Sequence, residues 1–434
     1  MLYQTSNLKI EEIIVTPIAI TDPPLLNAAG LHAPYALRTV LEIKTNRGIN
    51  GVSEIPGNAE VNEALAQVAE QLVGWDPFQL GALKKMIFDT FGKEEDPRGD
   101  APWDQRKVVH IYSALEVACL DIIGKAVDRP VVDLLGGRMR DRVPFAAYLF
   151  YKYEGAGGKL EFNKDPQATG WDAARQEAAV DPEGVVAQAR AMCKEFGFQS
   201  IKLKGGAFPP QEEVDAMLAL YEAFGAKVPL RHDPNAIWKM ETAAHFGKKM
   251  EHVLEYWEDP VRGQKNMADL RKHFDIPFAT NMCTTSFDDL PASIALHSED
   301  IILSDHHFWG GLTASMQLAM ICQTFGRDLS MHSNSHLGIS LAAMVHLGAA
   351  LPDFTYALDT HYPWQSEEII KGGRMKFEDG AVSVPEGPGL GVALDHDALA
   401  KLHQNYLECR LTKRDDLVEM RKVQPDWTFQ ATRW

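Results

Sequence analysis

The sequence contains few cysteines, no block of basic residues and no long apolar run. Its five cysteines are far apart, odd in number and never spaced as CxxC, so neither a disulfide framework nor a thiolate zinc site is indicated. Asp and Glu number 60 against 43 Lys and Arg, and the net charge of −17 argues against a nucleic-acid or anionic membrane partner. The longest apolar stretch, residues 337–351, contains His346 and is too short to span a bilayer.

The start of the sequence and its glycine pattern argue against two further classes. Residues 1–15 lack a basic segment followed by an apolar one, so we expect no secretory signal and a cytoplasmic protein. No GxGxxG motif occurs, and the one glycine cluster, residues 155–158, lies in a polar stretch that is weak evidence for a phosphate-binding loop. What the sequence does contain is 45% hydrophobic residues over 434 positions, which is enough for a large core and more than one domain.

Both ends of the chain have mixed strand and helix patterns. Before about residue 138, β-branched runs typical of strands are followed by stretches of helical periodicity, which predicts an α+β domain over residues 1–138. Residues 376–386 resemble a hairpin and residues 396–407 a polar helix. We therefore predict that the segment 369–434 returns to the first domain.

The middle of the chain, residues 139–368, repeats a short strand followed by a helix. Such repeats predict βαβ units and a parallel sheet, and eight strands at regular spacing predict a closed barrel and not an open sheet. Most of the predicted strands end in a polar or ionisable residue. They are residues 143–149, 200–204, 228–233, 254–258, 277–281, 301–305, 329–332 and 355–360.

Three oxygen-bearing side chains end consecutive predicted strands. Asp233, Glu258 and Asn281 recur at nearly equal intervals, about one strand–helix repeat apart. Because the carboxyl ends of barrel strands share one face, we expect these side chains at the same height. Two carboxylates and an amide are ligands that suit a hard divalent cation such as Mg²⁺.

Two proton-carrying side chains flank this predicted metal site. Lys204 precedes the ligands by one repeat and shares a strand face with Lys202, a second cation that favours the neutral, basic form of Lys204. His332 follows one repeat after Asp305, which is placed to hold its tautomer and stabilise its imidazolium. Each of these residues alone could also be an ordinary solvated strand terminus or a helix cap. A series of such residues at successive strand ends is not explained in that way. The pattern predicts proton abstraction beside a carboxylate, with a cation stabilising the enediolate.

With these residues in place, the sequence resembles the glucarate dehydratase subgroup of the enolase superfamily, in its mandelate racemase-like branch. The resemblance covers nearly the whole chain, and the amide ligand in ATNM is a marker of that subgroup. The motifs that carry it are NAAGLHAP (27–34), GVSEIPG (51–57), YLF (148–150), KLKGG (202–206), DPN (233–235), EDP (258–260), ATNM (279–282), HFW (307–309), HSNSH (332–336), DTH with WQ (359–365), VPEGPGLG (384–391), RDD (414–416) and WTF (427–429).

The resemblance implies a fold and a set of site residues. The fold is a modified TIM barrel, (β/α)₇β, with an α+β capping domain formed by the N-terminal region and the C-terminal tail. The implied Mg²⁺ ligands are Asp233, Glu258 and Asn281. The implied catalytic residues are Lys202, Lys204, Asp305, His332 and Asn334. The implied substrate-binding residues are Asn27, His32, Tyr148, Lys202, Asn235, Asn281, Ser333, His361 and Arg414.

The resemblance also implies a reaction, dehydration of a C6 aldarate. One base removes the proton α to the metal-bound carboxylate, the β-hydroxyl leaves, and the enol becomes 5-dehydro-4-deoxyglucarate. His332 would serve D-glucarate and Lys204 its epimer L-idarate. Pro102 stands where the subgroup has a threonine, which bears on substrate choice. We expect a small aldarate as partner, no nucleic acid or membrane, and a homo-oligomer of two or more copies.

Other functions remain open at this point. The enzyme could dehydrate another diacid sugar such as galactarate, or epimerise without loss of water. A paralogue could bind sugar acids without turnover, although both bases and all three ligands are kept. A zinc hydrolase would need HxH on the first barrel strand, where residues 143–149 have no histidine. His306 and His307 are adjacent, so we expect them to point to opposite faces.

Overall fold

The computed structural model describes residues 7–92, 106–353 and 355–434. Pro102, singled out above for substrate choice, lies outside these residues. None of the helices described combines the length and the apolar composition that a bilayer crossing requires.

The N-terminal region is an antiparallel sheet backed by helices. Its strands are β1 (Ile10–Thr21), β2 (Leu26–Asn27), β3 (Gly30–Leu31), β4 (Tyr35–Thr45) and β5 (Gly51–Pro56). Its helices are α1 (Ala59–Gln71), α2 (Leu80–Phe91), α3 (Lys107–Val127) and α4 (Val131–Leu134). Strand β4 lies between β1 and β5, and β2 pairs with β3 in a separate short ladder. Helix α3 is apolar and buried along most of its length because it packs against β5 on one side and against barrel helices on another.

Seven parallel strands form the sheet of the second region. The strands are β7 (Ala147–Phe150), β8 (Ile201–Lys204), β9 (Leu230–Asp233), β10 (Leu254–Glu258), β11 (Phe278–Thr280), β12 (Ile301–Ser304) and β13 (Asp328–Met331). They are hydrogen-bonded in sequence order from β7 to β13. The predicted first strand, residues 143–149, is split. Its beginning forms β6 (Arg142–Pro144), which pairs with a strand of the C-terminal segment, and β7 starts only at Ala147.

The eighth predicted strand closes the barrel without forming a regular strand. The Asp359 N–H donates to the Met331 carbonyl of β13 at 3.0 Å, and the Ala146 N–H donates to the Leu358 carbonyl at 2.8 Å. Residues 358–359 therefore bridge the two edges of the seven-stranded sheet. This arrangement confirms the predicted (β/α)₇β barrel.

Helices alternate with the strands of the barrel along the chain. They are α5 (Gly170–Ala174), α6 (Pro182–Phe196), α7 (Pro210–Phe224), α8 (Met240–Met250), α9 (Gln264–Arg271), α10 (Leu290–Leu296), α11 (His306–Trp309), α12 (Leu312–Thr324) and α13 (Gly338–Ala350). Helix α13 is apolar on all sides, and every one of its residues is buried.

The C-terminal segment returns to the first region, as predicted. Its elements are β14 (Ala381–Ser383), α14 (His396–Cys409) and α15 (Asp416–Val423). Helix α14 packs on β1, and α15 packs beside β3. Gly30 in β3 has a φ of 139°, and any side chain there would collide with the Asp416 carbonyl of α15. The expected hairpin is limited to one bridge, because β14 pairs with β6 instead. We propose residues 138 and 368 as the domain limits.

Candidate active site

The predicted strand-end residues meet above the carboxyl ends of the barrel strands. Lys202 and Lys204 lie on the same face of β8, and the parallel register places Lys204 beside Asp233, the last residue of β9. The Lys204 Nζ lies 2.6 Å from the Asp233 Oδ2. Burial raises the pKa of Asp233, but Lys204 and Lys202 outweigh this effect and hold the pKa well below its ordinary value. Asp233 is therefore a carboxylate.

Lys202 lies deeper in the barrel, among three carboxylates. Its Nζ is 2.5 Å from the Glu258 Oε2, 2.6 Å from the Asp359 Oδ2 and 3.5 Å from the Asp233 Oδ2. It also lies 4.6 Å from the centre of the Tyr148 ring. Burial lowers the pKa of Lys202, but the carboxylates of Asp359 and Glu258 outweigh burial and raise it well above the ordinary value. Lys202 is therefore protonated, and its positive charge is compensated by the carboxylates around it.

The buried oxygens at this site fit a divalent cation. Among the described residues, no hydrogen-bond donor reaches the Oε1 of Glu258, the Oδ1 of Asn281 or the Oδ1 of Asn235. Burying such oxygens without a partner is costly, and a cation would satisfy them. Burial and the neighbouring charge of Asp233 raise the pKa of Glu258 well above its ordinary value, so added positive charge would stabilise its ionised form. The residues present therefore suit Mg²⁺.

The third candidate ligand is held by a neighbouring carboxylate. Asp259 accepts the Asn281 N–H at 2.9 Å through Oδ2 and the Thr280 hydroxyl at 2.5 Å through Oδ1. Asp259 has a φ of 38°, in the left-handed region that aspartate tolerates better than most residues. The hydrogen bond from the Asn281 N–H to Asp259 fixes the backbone from which the amide side chain of Asn281 projects.

On the opposite side of the site, Asp305 connects several polar groups. Its Oδ1 accepts the His307 N–H at 2.9 Å and the His307 Nδ1 at 2.7 Å. Its Oδ2 lies 3.1 Å from the Asn334 Nδ2 and 3.3 Å from the His332 Nδ1. Burial raises the pKa of Asp305, but the charge of His307 and the hydrogen bonds from His307 and His332 hold it well below its ordinary value.

The imidazole of His332 is suited to accept a proton. Burial lowers the pKa of His332 below its ordinary value, although the hydrogen bond to Asp305 opposes this shift. The ring is therefore neutral near pH 7. Because an ionised carboxylate only accepts, the proton of His332 lies on Nδ1, and the lone pair of Nε2 remains for a base.

The prediction that His306 and His307 point to opposite faces is wrong. The two residues lie on the short helix α11 and not on a strand, and their ring centres are 3.8 Å apart. Ligand atoms of Asp305, His306 and His307 lie within 4.8 Å of one another. The Nδ1 of His307 is nevertheless engaged by Asp305, and its Nε2 lies 3.0 Å from the Glu54 carbonyl. These contacts argue against a zinc site.

Residues of the cap and of the barrel line one cavity. It contains both proton-carrying groups, Lys204 and His332. Most of the predicted substrate-binding residues line it as well, while Asn281 and Lys202 lie outside its wall. The complete lining is Asn27, His32, Tyr148, Phe150, Lys204, Asn235, Phe308, His332, Ser333, Asn334, His361 and Arg414.

The cap residues of this cavity are held by hydrogen bonds and by one ion pair. The His32 Nδ1 lies 2.8 Å from the Asp22 Oδ2, and its Nε2 lies 2.8 Å from the Arg414 Nη2. Because arginine only donates, the His32 proton lies on Nδ1. Arg414 forms a two-pronged ion pair with Asp416, which also accepts the Asn27 amide at 2.7 Å. The Asn27 oxygen accepts two backbone N–H groups of its own loop, so most of its amide supports the loop.

The remaining predicted substrate residues lie on the barrel side. The Ser333 hydroxyl accepts the His361 N–H at 2.8 Å and lies 2.9 Å from the His361 Nδ1, so Ser333 orients His361. His361 packs edge-on against the Tyr148 ring, at 4.6 Å between centres. Asn235 has a φ of 56°, and its N–H donates to the Asp233 Oδ1 at 3.0 Å.

Sequence reasoning missed two groups at this site. Asp359, which compensates the charge of Lys202, is the last ionisable residue of the eighth predicted strand segment, residues 355–360, and could have been found by the same strand-end rule. Arg38, buried in β4, donates to the Asn334 Oδ1 at 2.7 Å. No local pattern links these two residues, which lie 296 positions apart.

Comparisons with known proteins agree with this architecture. Residues 10–136 match the family "Mandelate racemase / muconate lactonizing enzyme, N-terminal domain", and residues 184–398 match "Enolase C-terminal domain-like". A probable glucarate dehydratase of Streptomyces coelicolor is 44% identical over 99% of this chain and 100% of its own.

Two solved structures are similar over their full lengths. An enolase of Mycobacterium smegmatis, complexed with formate and acetate, has a TM-score of 0.92 at 47% identity and covers 100% of both chains. An enolase of Pseudomonas fluorescens with bound magnesium, potassium and tartrate has a TM-score of 0.92 at 45% identity, covering 99% of this chain and 100% of its own. The chain belongs to the enolase superfamily, in the family of mandelate racemase and muconate lactonizing enzyme.

Proposed function

We propose that this protein is a Mg²⁺-dependent acid-sugar dehydratase that acts on D-glucarate and L-idarate. The observation that carries the proposal is the presence of two proton-carrying groups, Lys204 and His332, in one cavity beside a set of buried oxygen ligands. The similar chain named a probable glucarate dehydratase supports the choice of substrate. The similar enolase with bound magnesium and tartrate supports a divalent cation and a small acid as ligands.

The proposed Mg²⁺ ligands are Asp233, Glu258 and Asn281. When bound, the cation supplies stabilisation for the negative charge that develops on the substrate carboxylate as its α-proton leaves. Lys202 keeps the carboxylates of Asp233 and Glu258 close together, since its Nζ contacts both. Asp359 compensates the charge of Lys202. The negative charge of Asp233 and Glu258 is then available to bind a further cation.

His332 removes the α-proton of D-glucarate in this proposal. The lone pair of Nε2 takes the proton, and Asp305 stabilises the imidazolium that results, through Nδ1. The imidazolium can then protonate the β-hydroxyl, which leaves as water. The enol that remains becomes the 5-dehydro-4-deoxy product, so the net change is the loss of one water. Lys204 performs the corresponding proton abstraction on the epimer L-idarate.

The cap supplies recognition of the rest of the substrate. Arg414 and His32 line the cavity from the cap and are suited to bind the distal carboxylate and hydroxyls. Tyr148, Asn235 and His361 line it from the barrel. Ser333 acts through His361, which it orients. A homo-oligomer and a cytoplasmic location remain predictions from the sequence.

The experiment that tests this function is a turnover screen with Mg²⁺ and purified protein. D-glucarate, L-idarate and galactarate are offered separately, and the α-keto acid product is measured. Product from glucarate and idarate is expected. Product from galactarate alone would keep the reaction and change the substrate, and no product from any of them would refute dehydration of these acids.

The His332→Ala variant serves as a matched test of the two bases. We expect no dehydration of D-glucarate, while proton exchange at C5 of L-idarate continues in part through Lys204. Full activity of this variant on D-glucarate would refute the role given to His332. The variant Asp353→Asn, at an exposed position that does not line the cavity, controls for general effects of a substitution.

A further inference from the structure

Arg38 crosses from the capping sheet to the barrel. It lies on β4 and is 1% exposed. Its Nε lies 2.9 Å from the Glu54 Oε1, and its Nη1 donates to the Asn334 Oδ1 at 2.7 Å. Its Nη2 donates to the Ser340 hydroxyl at 3.1 Å and lies 3.4 Å from the His307 Nε2. A buried guanidinium of the cap is therefore in direct contact with the loop that follows β13.

The guanidinium is held in place by its ion-pair partner. Glu54 of β5 also accepts the Leu337 N–H at 2.8 Å and the Ser340 N–H at 3.1 Å. These two N–H groups lie at the start of α13, where helix N–H groups have no partner within the helix. Glu54 therefore binds Arg38 and the start of α13 at the same time. These contacts fix the position of the guanidinium relative to Asn334.

The contacts of Asn334 allow only one orientation of its amide. Arginine offers only donors, and the ionised Asp305 offers only acceptors. The oxygen of Asn334 therefore faces Arg38, and its NH₂ group faces the Asp305 Oδ2 at 3.1 Å. A flipped amide would set donor against donor on one side and acceptor against acceptor on the other.

We propose that Arg38 is a positioning residue for His332, and this inference rests on the proposed function. By fixing the amide of Asn334, Arg38 makes Asn334 and His332 share one oxygen of Asp305. That arrangement keeps the proton of His332 on Nδ1 and leaves Nε2 as the base. Lys204 pairs with Asp233 on the other side of the site. Arg38 therefore does not orient Lys204.

A second consequence concerns recognition by Asn334. Its oxygen is taken by Arg38, and one of its two N–H groups by Asp305. Asn334 therefore has its second N–H left to offer the cavity as a donor. We expect this N–H to recognise an acceptor oxygen of the substrate.

The test compares Arg38→Met with Arg38→Lys. Arg38→Met removes the donor to Asn334, and we expect kcat on D-glucarate to fall by about ten- to a hundredfold, as is usual when such a supporting partner is lost, with little change in KM. Proton exchange at C5 of L-idarate through Lys204 should change much less. Arg38→Lys keeps a donor and a charge, so it should restore part of the loss.

A spectroscopic measurement makes the inference independent of turnover. The ¹⁵N resonances of His332, assigned by comparison with His332→Ala, report which ring nitrogen carries the proton. We expect the wild-type ring to be protonated on Nδ1 and the Arg38→Met ring to lose that preference. If the wild-type protein turns over no acid sugar, the proposed function fails while this measurement still decides the role of Arg38.

Two controls separate positioning from a structural role. The double variant Arg38→Met with Glu54→Gln avoids an unpaired buried carboxylate and replaces the single variant if that does not fold. Glu116→Gln weakens a comparable contact between cap and barrel, since Glu116 of α3 accepts the Leu312 and Thr313 N–H groups of α12, each at 2.9 Å. Equal losses on both epimers, an unchanged His332 tautomer, or the same selective loss in Glu116→Gln would overturn the proposal.

Discussion

The pairing of Asp305 with His332 can be broken by a single substitution that keeps the shape of the side chain. In Asp305→Asn, Oδ1 can still accept from the His307 backbone N–H, so the turn at the start of α11 is kept. The new Nδ2 would face the Nδ1 of His332 and the Nδ2 of Asn334, with donors against donors. The tautomer of His332 with its proton on Nε2 then becomes the more stable one. Nε2 no longer has a free lone pair, so it cannot accept the proton of the substrate.

The size of the effect follows from the geometry. The His332 Nδ1 lies 3.3 Å from the Asp305 Oδ2, and at an effective dielectric constant of about 20 the attraction between an imidazolium and that carboxylate is about 5 kcal/mol. A hydrogen bond from the neutral ring to a charged acceptor already supplies about 1.5–3 kcal/mol of this. The transition state therefore loses roughly 3 kcal/mol, which corresponds to about a hundredfold lower kcat. The tautomer change acts in the same direction.

The assay is the steady-state dehydration of D-glucarate with saturating Mg²⁺. A loss in kcat with KM nearly unchanged is expected, because the interaction strengthens only as the ring becomes charged. Proton exchange on L-idarate through Lys204 serves as the internal control and should change little. A kcat on D-glucarate within about threefold of wild type would refute the assignment of Asp305 as the partner of the base, since a loss of about 3 kcal/mol corresponds to a much larger decrease in rate.

Three further outcomes are expected. Asn281→Ala should weaken Mg²⁺ binding about ten- to a hundredfold in calorimetry, because one of three protein ligands is lost; unchanged affinity would contradict the ligand assignment. The activity on D-glucarate should fall as the pH drops through a pKa below the ordinary histidine value, since the base His332 must be neutral and burial lowers its pKa; an inflection above pH 7 in kcat/KM would argue against this base. Asp359→Asn should lower the free energy of unfolding in urea by about 3–5 kcal/mol, because it leaves the buried Lys202 with less compensation. Asp353→Asn on the surface should have almost no effect, and equal losses in the two variants would speak against a special role for Asp359.

Much of the site followed from periodicity alone. Parallel strands of a barrel bring their carboxyl ends to one face, so side chains at successive strand ends must converge. The structure brings together Lys204 and Asp233, and likewise Asp305 and His332, as that rule requires. The same rule applied to the eighth strand segment would have pointed to Asp359.

Errors arose where local backbone geometry differed from the assumed strand. His306 and His307 were expected on opposite faces, but they lie on a helical turn, where adjacent side chains are about 100° apart and not opposite. The predicted first strand was likewise split: its beginning, up to Pro144, pairs with β14, and the part from Ala147 onwards joins the barrel. Periodicity reports the average pattern of a segment and does not reveal such breaks.

The sequence by itself determined the barrel, the returning C-terminal segment and the row of strand-end groups, because these depend on repeats of hydrophobicity and chain length. Only the tertiary structure decided how those groups are oriented. The contact of Arg38 with Asn334 joins residues 296 positions apart, and the pairs of Lys202 with Asp359 and of His32 with Arg414 are also distant in sequence. Hydrogen bonds between such partners depend on the packing of the cap on the barrel, and no local pattern encodes that packing.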